Sequence, residues 1–268
     1  MKKPKILYHY TTLDAVINGI INSDIKGQTN LCLWATHCEY LNDPKDNIIG
    51  ENILQDIPEV KDILDYDLSK YQFNKNYGQV NYILSFSTTC DSLPMWRMYG
   101  ENGTGIMLSF DSDIIEVLND DKTYAFKCIY EHSRSFQTHL KAFPTKLKEC
   151  IRISKIYYPE ECVQYAFLKG YIISFLERIK AKGYEYEQEW RMVIPDYLVN
   201  VNNEVLFRNR NGLLIPYIKR FFPMQFLKEI WIGPTHDMKR SRKALEMFLL
   251  QKGMSNVSIR QSEIPYRL

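Results

Sequence analysis

The stretch ILYHYTTLDAVINGII, residues 6 to 21, joins two patterns that decide how the fold begins. Residues 5 to 10 form a short apolar and aromatic run, which is typical of a buried strand. After this run, apolar side chains recur with the period of one helix face. These side chains are Leu13, Val16, Ile17, Ile20 and Ile21. The stretch therefore predicts a strand followed directly by an amphipathic helix.

The polar residues between this strand and helix have two explanations. Thr11 with Asp14 three residues later is a weak capping-box pattern, so Thr11 can cap the helix without any ligand. Capping does not explain His9, whose side chain should face the same way as that of Thr11 if the strand continues. We therefore expect either a polar cleft at this junction or a structural histidine beside a helix cap.

The segment YEYEQEWRMVI, residues 184 to 194, is a second unusual pattern and is predicted to be a strand. Alternation along a strand places Glu185, Glu187, Glu189 and Arg191 on one face. The simpler explanation is a solvated sheet face, since charged faces are usually exposed. The alternative is a cleft wall, where a carboxylate can stabilise a developing positive charge or bind a sugar hydroxyl.

The block SFSTTCDSLPMWRMYGENGTG, residues 85 to 105, contains closely spaced aromatic and basic side chains. Trp96 and Tyr99 with Arg97 could form an aromatic platform and a cation at a ligand pocket. Alternatively, Trp96 fills the core and Arg97 lies at the surface. The glycines of this block match neither a dinucleotide fingerprint nor a P-loop, and we interpret them as turn glycines.

Composition limits the partners that the chain is expected to have. A formal net charge of +2 over 268 residues gives no reason to expect nucleic-acid binding. No run approaches 18 apolar residues, so no membrane partner is expected. The six cysteines lack CxxC spacing, which favours free thiols in the cytoplasm over disulfides or zinc. No metal site is predicted, because the His37-Cys38-Glu39 cluster does not fit a known ligand spacing.

The remaining patterns predict one α+β domain over residues 1–268, with a central mixed or antiparallel sheet. Residues 112–182 are predicted to be a helical insertion with one strand pattern near 123–131. Its last helix is expected to run to Gly183. Residues 226–268 are predicted to form a closing strand-helix-strand element.

Several of these segments, taken together, resemble a bacterial family of domains of unknown function, DUF2971. The resemblance covers most of residues 6 to 194. It depends on LYHYTT, an Asn-Asp-Pro turn in LWATHCEYLNDPKD, a Leu-Pro-Met-Trp-x-x-Tyr block and a Glu-x-Glu-Trp-Arg strand. The family name implies no activity.

The strand that ends in His-x-Thr, followed by a helix and a second strand, is similar to the opening of ADP-ribosyltransferase domains. This resemblance implies NAD as the substrate. In those enzymes the histidine of the first strand binds a ribose hydroxyl and the nearby backbone holds the nicotinamide amide, and His9 and Thr11 match this element. The resemblance also implies Glu189 as the catalytic glutamate, with Glu187 completing an E-x-E pattern. Tyr40 or Tyr99 would stack on the nicotinamide. The Ser-Thr-Ser motif of one branch of these enzymes is not clearly present, and the insertion is long.

Two functions from different classes follow as hypotheses. The first is an enzyme that cleaves the nicotinamide glycosidic bond of NAD, acting on a small-molecule nucleotide as a toxin or phage-defence effector, with its acceptor left open. The second is a non-catalytic module that binds a ligand or partner in a stress or defence system. The first expects His9 and Glu189 to face one cleft, with Trp96 or Tyr99 bordering it and Arg191 steadying the carboxylates.

Overall fold

The computed structural model describes residues 3–21, 23–25, 28–43, 48–68, 81–117, 123–195, 199, 204–210, 212–234 and 237–265. The strands are β1 (Ile6–Thr11), β2 (Ser23–Ile25), β3 (Gln28–His37), β4 (Asn81–Ser87), β5 (Ile106–Asp111), β6 (Tyr124–Lys127), β7 (Ile129–Tyr130), β8 (Ile179–Lys180), β9 (Glu189–Pro195), β10 (Leu206–Arg210), β11 (Leu213–Pro223), β12 (Leu227–Ile232) and β13 (Ser258–Gln261). The α-helices are α1 (Leu13–Ala15), α2 (Ile48–Leu54), α3 (Pro58–Asp65), α4 (Leu93–Tyr99), α5 (Ile114–Val117), α6 (Arg134–Tyr157), α7 (Glu161–Leu176) and α8 (Met238–Gln251).

The strands form one large mixed sheet, which confirms the predicted α+β class. The order across it is β10-β11-β3-β4-β1-β5-β12-β13, while β2 pairs with β3 and β9 joins β4 to β6. Most neighbours are antiparallel, but β12 and β13 are parallel and are connected through α8. A separate parallel pair, β7 with β8, lies beside this sheet. Among the described residues, no helix is long and apolar enough to cross a membrane.

The sheet divides at β4. Along one edge, β4 pairs with β9 over its whole length, from Asn81 to Ser87. Along the other edge it meets β3 only at Tyr82 and Ile83, and β1 only at Ser87. Residues 84–86 therefore face no strand on this edge among the described pairings. Since β1 and β3 separate here, a cleft opens between them.

Residues 112–182 form a helical unit that is also tied into the sheet. Its helices α6 and α7 share a buried apolar cluster with α2 and α3, which includes Phe143, Leu147 and Ile172. The strand pattern near 123–131 becomes β6 and β7, and β6 pairs with β9. The insertion therefore packs on its own core but contributes a strand next to the segment that carries the glutamates.

The opening helix differs from its prediction. Only Leu13–Ala15 is α-helical, and Val16–Ile20 continues as a π-helix. The cap is Thr12, whose side chain accepts a hydrogen bond from the N–H of Ala15 at 3.1 Å. Thr11 is not the cap, because it stays in β1, where it pairs with Ile106 of β5.

The segment at 184–194 is only partly a strand, and the predicted helix before it ends early. Lys182–Glu187 is a 3-10 helix, and Gln188 has a left-handed backbone with φ of 44° before β9 begins. The strand starts at Glu189 because Glu189 pairs with Ser87, the last residue of β4. The helix ends at Leu176 rather than Gly183, because the following residues pair with β7 as β8.

Two glycines hold the loop after α4 close to its neighbours. A Cβ atom on Gly105 would lie 2.4 Å from the carbonyl oxygen of Thr11, and one on Gly233 would lie 2.3 Å from that of Gly103. The N–H of Gly233 donates to the carbonyl of Gly105 at 3.0 Å. The absence of side chains lets β1, β12 and this loop come into contact, which fixes α4 beside β1.

Replacing Gly105 with alanine should therefore lower the free energy of unfolding by about 1–3 kcal/mol, since the backbone must shift to admit the Cβ. The matched control is Gly170→Ala within α7, where no atom lies within 4 Å of an added Cβ. Alanine favours a helix interior, so this control should leave stability unchanged or slightly raise it. Urea unfolding of both variants tests this, and equal midpoints would show that the close contact is unimportant.

Candidate functional site

A pocket of about 110 Å³ lies where β1 and β4 separate. Its walls come from β1, β4, β8 and β9, from α4, and from the segments at 41–43 and 182–187. A larger groove of about 490 Å³ adjoins it and extends toward β3 and β10. The two share His9, Tyr10, Leu41, Asn42, Ser85 and Tyr99 as lining residues, so they lie side by side.

His9 bridges the gap between the separated strands. Its Nδ1 atom lies 3.0 Å from the carbonyl oxygen of Ser85, on the edge of β4 that has no strand partner. A carbonyl can only accept a hydrogen bond, so Nδ1 carries the proton and Nε2 is left as an acceptor. Burial lowers the pKa of His9 below its usual value, and the positive charge of Arg208 lowers it further. At neutral pH the ring is therefore uncharged.

Four buried charges lie against this pocket, and we call them the ion cluster: Lys180, Glu187, Glu189 and Arg191. Lys180 Nζ contacts Glu187 Oε2 at 2.5 Å and Glu189 Oε2 at 2.8 Å. Arg191 Nε contacts Glu189 Oε1 at 3.1 Å. Each of the four side chains is at most 5% exposed, so water contributes little to screening these contacts.

Further hydrogen bonds attach the ion cluster to the surrounding elements. The phenol of Tyr99, at the end of α4, donates to Glu187 Oε1 at 2.6 Å. The hydroxyl of Tyr130 on β7 accepts from the N–H of Glu189 at 2.7 Å. Arg191 Nη1 donates to the carbonyl of Glu177, just after α7, at 2.9 Å. The residues of the ion cluster are thus held in place by groups from α4, β7 and the end of α7.

The two glutamates differ in their tendency to hold a proton. Burial by itself raises the pKa of Glu189, but Arg191 and Lys180 outweigh burial and hold it at about 2. Burial raises the pKa of Glu187, and the charge of Glu189 adds to this rise, while Lys180 opposes it. Glu189 is therefore a permanent anion, and Glu187 is the carboxyl group that takes up a proton more readily.

The structure brings five of the residues singled out in the sequence to one pocket. These are His9, Tyr99, Glu187, Glu189 and Arg191. Asn42 and Asp43 of the expected Asn-Asp-Pro turn also line it, while Pro44 lies outside the described residues. Thr11 and Tyr40 line the adjoining groove instead.

Two sequence-based expectations need correction here. Trp96 is not at the pocket, because its side chain is fully buried and its indole N–H donates to Asp91 at 2.8 Å. The solvated-face explanation is wrong for Glu187 and Glu189, which are each 4% exposed, and holds only for Glu185. The reason is that the chain turns at Gln188, which directs both glutamates inward.

Sequence reasoning missed Lys180, which lies between the glutamates. Its position falls inside the stretch predicted as one long helix, where a lysine has no special meaning. Pairing of β8 with β7 turns it toward the pocket. Among the described parts of the chain, no three His, Cys, Asp or Glu side chains converge on a metal site.

A family model described as "Protein of unknown function (DUF2971)" matches residues 95–192, which confirms the resemblance to that family. No curated protein and no solved structure matches the chain. The matched segment runs from α4 to β9 and includes Tyr99 and the whole ion cluster. His9 lies outside it, on the strand that faces the cluster across the pocket.

Lys180→Met tests whether the ion cluster holds the site together. Removing the shared cation leaves two adjacent buried carboxylates, so the free energy of unfolding at pH 7.5 should fall by about 3–5 kcal/mol. The pKa of Glu187, already raised, would rise further. A carboxyl group whose pKa is higher in the folded state favours folding at low pH and loses this effect as pH rises. The loss in free energy of unfolding caused by Lys180→Met should therefore be smaller at pH 5 than at pH 7.5.

The control is Lys182→Met, which removes the same charge from an exposed position two residues away. Chemical denaturation of both variants at the two pH values measures the difference. Equal stabilities at both pH values would mean that the cluster is not a structural constraint.

Proposed function

We propose that this protein binds NAD and cleaves its nicotinamide-ribose bond, passing ADP-ribose to an acceptor or to water. One observation carries the proposal: His9 of β1 and the pair Glu187 and Glu189 line the same pocket where the sheet divides. This is the juxtaposition that the His-x-Thr and E-x-E patterns require if they act on one ribose. A cytoplasmic location and a bacterial phage-defence setting belong to the same proposal, and the free state of all six cysteines supports the first.

His9 supplies a hydrogen-bond acceptor of fixed orientation. Its Nδ1 is held by Ser85, so Nε2 can accept the hydrogen of a ribose hydroxyl. The lowered pKa keeps this nitrogen unprotonated at neutral pH. A protonated imidazole would be a donor at both nitrogens and would repel the positively charged nicotinamide ring.

The glutamates supply negative charge where positive charge develops. When the C–N bond breaks, its electron pair leaves with nicotinamide, and the ribose becomes an oxocarbenium-like cation. Glu189 remains ionised because Lys180 and Arg191 keep its pKa at about 2. The acceptor then adds to the ribose and loses a proton, and Glu187, with its raised pKa, is suited to take that proton.

Tyr99 is the better candidate for the ring that contacts nicotinamide. It lines both the pocket and the groove, and its hydroxyl is bound to Glu187, which fixes the ring beside the glutamates. Tyr40 lines only the groove and packs edge-on against His37. Arg191 acts through Glu189 in this proposal and is a positioning residue.

A second function, a non-catalytic ligand-binding module, is favoured by the state of the carboxylate oxygens. Both oxygens of Glu187 already accept a hydrogen bond, one from Tyr99 and the other from Lys180. Both oxygens of Glu189 contact a cation, Arg191 or Lys180. Carboxylates engaged in this way need no substrate to be satisfied, which is the arrangement expected of a structural cluster beside a binding pocket.

Release of nicotinamide from NAD by the purified protein, with and without candidate acceptors, tests the proposal. Glu189→Gln should lower the rate by roughly 100-fold or more, because a charge aimed at the transition state is lost. His9→Ala should lower kcat/KM by about tenfold, the effect of one buried hydrogen bond. Glu185→Gln, an exposed change in the same segment, should leave the rate unaltered.

The same assay separates the two functions. Binding of NAD without nicotinamide release, equal in the wild type and in Glu189→Gln, would favour the binding module. Neither binding nor release under any condition would reject NAD as the ligand. Trp96→Ala is unsuitable for this decision, because Trp96 is a core residue and its loss disturbs the fold.

A further inference from the structure

The groove beside the pocket contains an arginine that has no acidic partner among the residues the structure describes. Arg208 lies on β10 at the edge of the sheet and donates through Nη2 to the hydroxyl of Thr36 at 2.9 Å. Its Cζ atom lies 5.4 Å from the ring centre of Trp34 and 5.6 Å from that of Tyr217. No carboxylate forms an ion pair with it within the described ranges.

The surroundings of Arg208 neither balance its positive charge nor provide an acceptor for every N–H group. Its Nε is shielded from solvent and finds no acceptor in the described structure, and the same is true of the indole N–H of Trp34. Buried donors in folded proteins nearly always have an acceptor, so a buried donor with no protein acceptor is a candidate for contact with a water or an ion. Burial and the neighbouring charge of Arg210 lower the pKa of Arg208, so its surroundings disfavour a cation. An anion bound here would relieve this cost.

The described acidic residues that line the groove do not form an ion pair with Arg208. Asp14 accepts a hydrogen bond from the side-chain amide of Asn18 at 2.6 Å. Glu101 lies in the 3-10 helix after α4 and forms no ion pair with Arg208. The wall formed by β3 and β10 presents the ring of Trp34 together with Arg208 and Arg210, which is a surface suited to an anion with planar groups attached.

We infer that this groove binds the phosphate groups of the ligand, with Arg208 as the contacting side chain. The inference rests on the proposed function for the identity of the ligand, in which these groups are the diphosphate of NAD. Because His9 lines both cavities, a dinucleotide whose nicotinamide ribose lies at His9 extends its diphosphate into the groove. The planar guanidinium can donate to two phosphate oxygens at once.

Titration of the purified chain with inorganic pyrophosphate, followed by calorimetry at fixed ionic strength, tests the site directly. Arg208→Gln should weaken binding by about tenfold or more, the effect expected for a charge-assisted hydrogen bond. Arg208→Lys should retain part of the affinity, since it keeps the charge but not the planar donor pair. The control is Arg242→Gln, which removes an equal charge from α8, outside the groove.

The outcomes are distinct. Loss of affinity in Arg208→Gln but not in Arg242→Gln supports the site. An equal loss in both variants overturns it, because binding would then follow net charge alone, and so does an absence of pyrophosphate binding by the wild type at millimolar concentration. Thermal melting of Arg208→Gln and the partial affinity of Arg208→Lys separate a lost contact from a lost fold.

Two substrates separate this inference from the proposed function. Nicotinamide riboside carries the cleaved bond but no phosphate, so Arg208→Gln should raise the KM for NAD about tenfold and leave that for nicotinamide riboside unchanged. Pyrophosphate binding that depends on Arg208, without nicotinamide release from either substrate, would reject the enzyme and keep the anion site. Release from both substrates with equal KM values in the wild type and Arg208→Gln would reject the anion site and keep the enzyme.

Discussion

The buried contact of Lys180 with Glu187 and Glu189 is the interaction on which the rest of the site depends. Removing these charges from water costs several kcal/mol for each ion, and only close geometry with additional hydrogen bonds offsets that cost. The cluster meets this condition by taking one partner from each neighbouring element. In doing so it attaches α4, the end of α7 and the β7–β8 pair to β9. The helical unit and the sheet are thus joined through electrostatics as well as through β6.

The division of the sheet at β4 is the second constraint, and it explains where the pocket lies. A strand edge with no partner leaves backbone polar groups that must be satisfied. At Ser85 this is done by the imidazole of His9, which also fixes the tautomer of the ring. The same gap forms the pocket that the ion cluster lines. The division of the sheet at β4 therefore explains both the opening of the pocket beside the carboxylates and the orientation of His9.

The electrostatic balance of the cleft favours a ligand with charges of both signs. The two cations and two carboxylates of the ion cluster sum to zero formal charge, and Asp43 adds a further carboxylate to the lining, so the pocket itself does not favour an anion. The groove near β10 is different, because no carboxylate of the described residues forms an ion pair with Arg208. A dinucleotide with a positive nicotinamide end and a negative diphosphate matches this arrangement. Each oxygen of Glu187 and Glu189 already has a partner, which is the main argument for binding without catalysis. Whether the charge of Glu189 is needed for nicotinamide release therefore decides between the two functions.

The sequence by itself determined features that depend on local pattern. The α+β class follows from segments with strand-like and helix-like apolar periods, and His9, Glu187 and Glu189 stand out as candidates because charged or titratable residues are unusual in predicted strands. Tertiary structure decided the rest. Thr11 stays in β1 because Ile106 pairs with it, and Trp96 is a core residue because α4 packs over β1. Lys180 and Arg208 reach the cleft through pairing of β8 with β7 and of β10 with β11. The pairing of β7 with β8 joins residues far apart in the chain, and β10 reaches the groove only because its hairpin partner β11 pairs with the distant β3. The position of a charge relative to such pairings has no local signal.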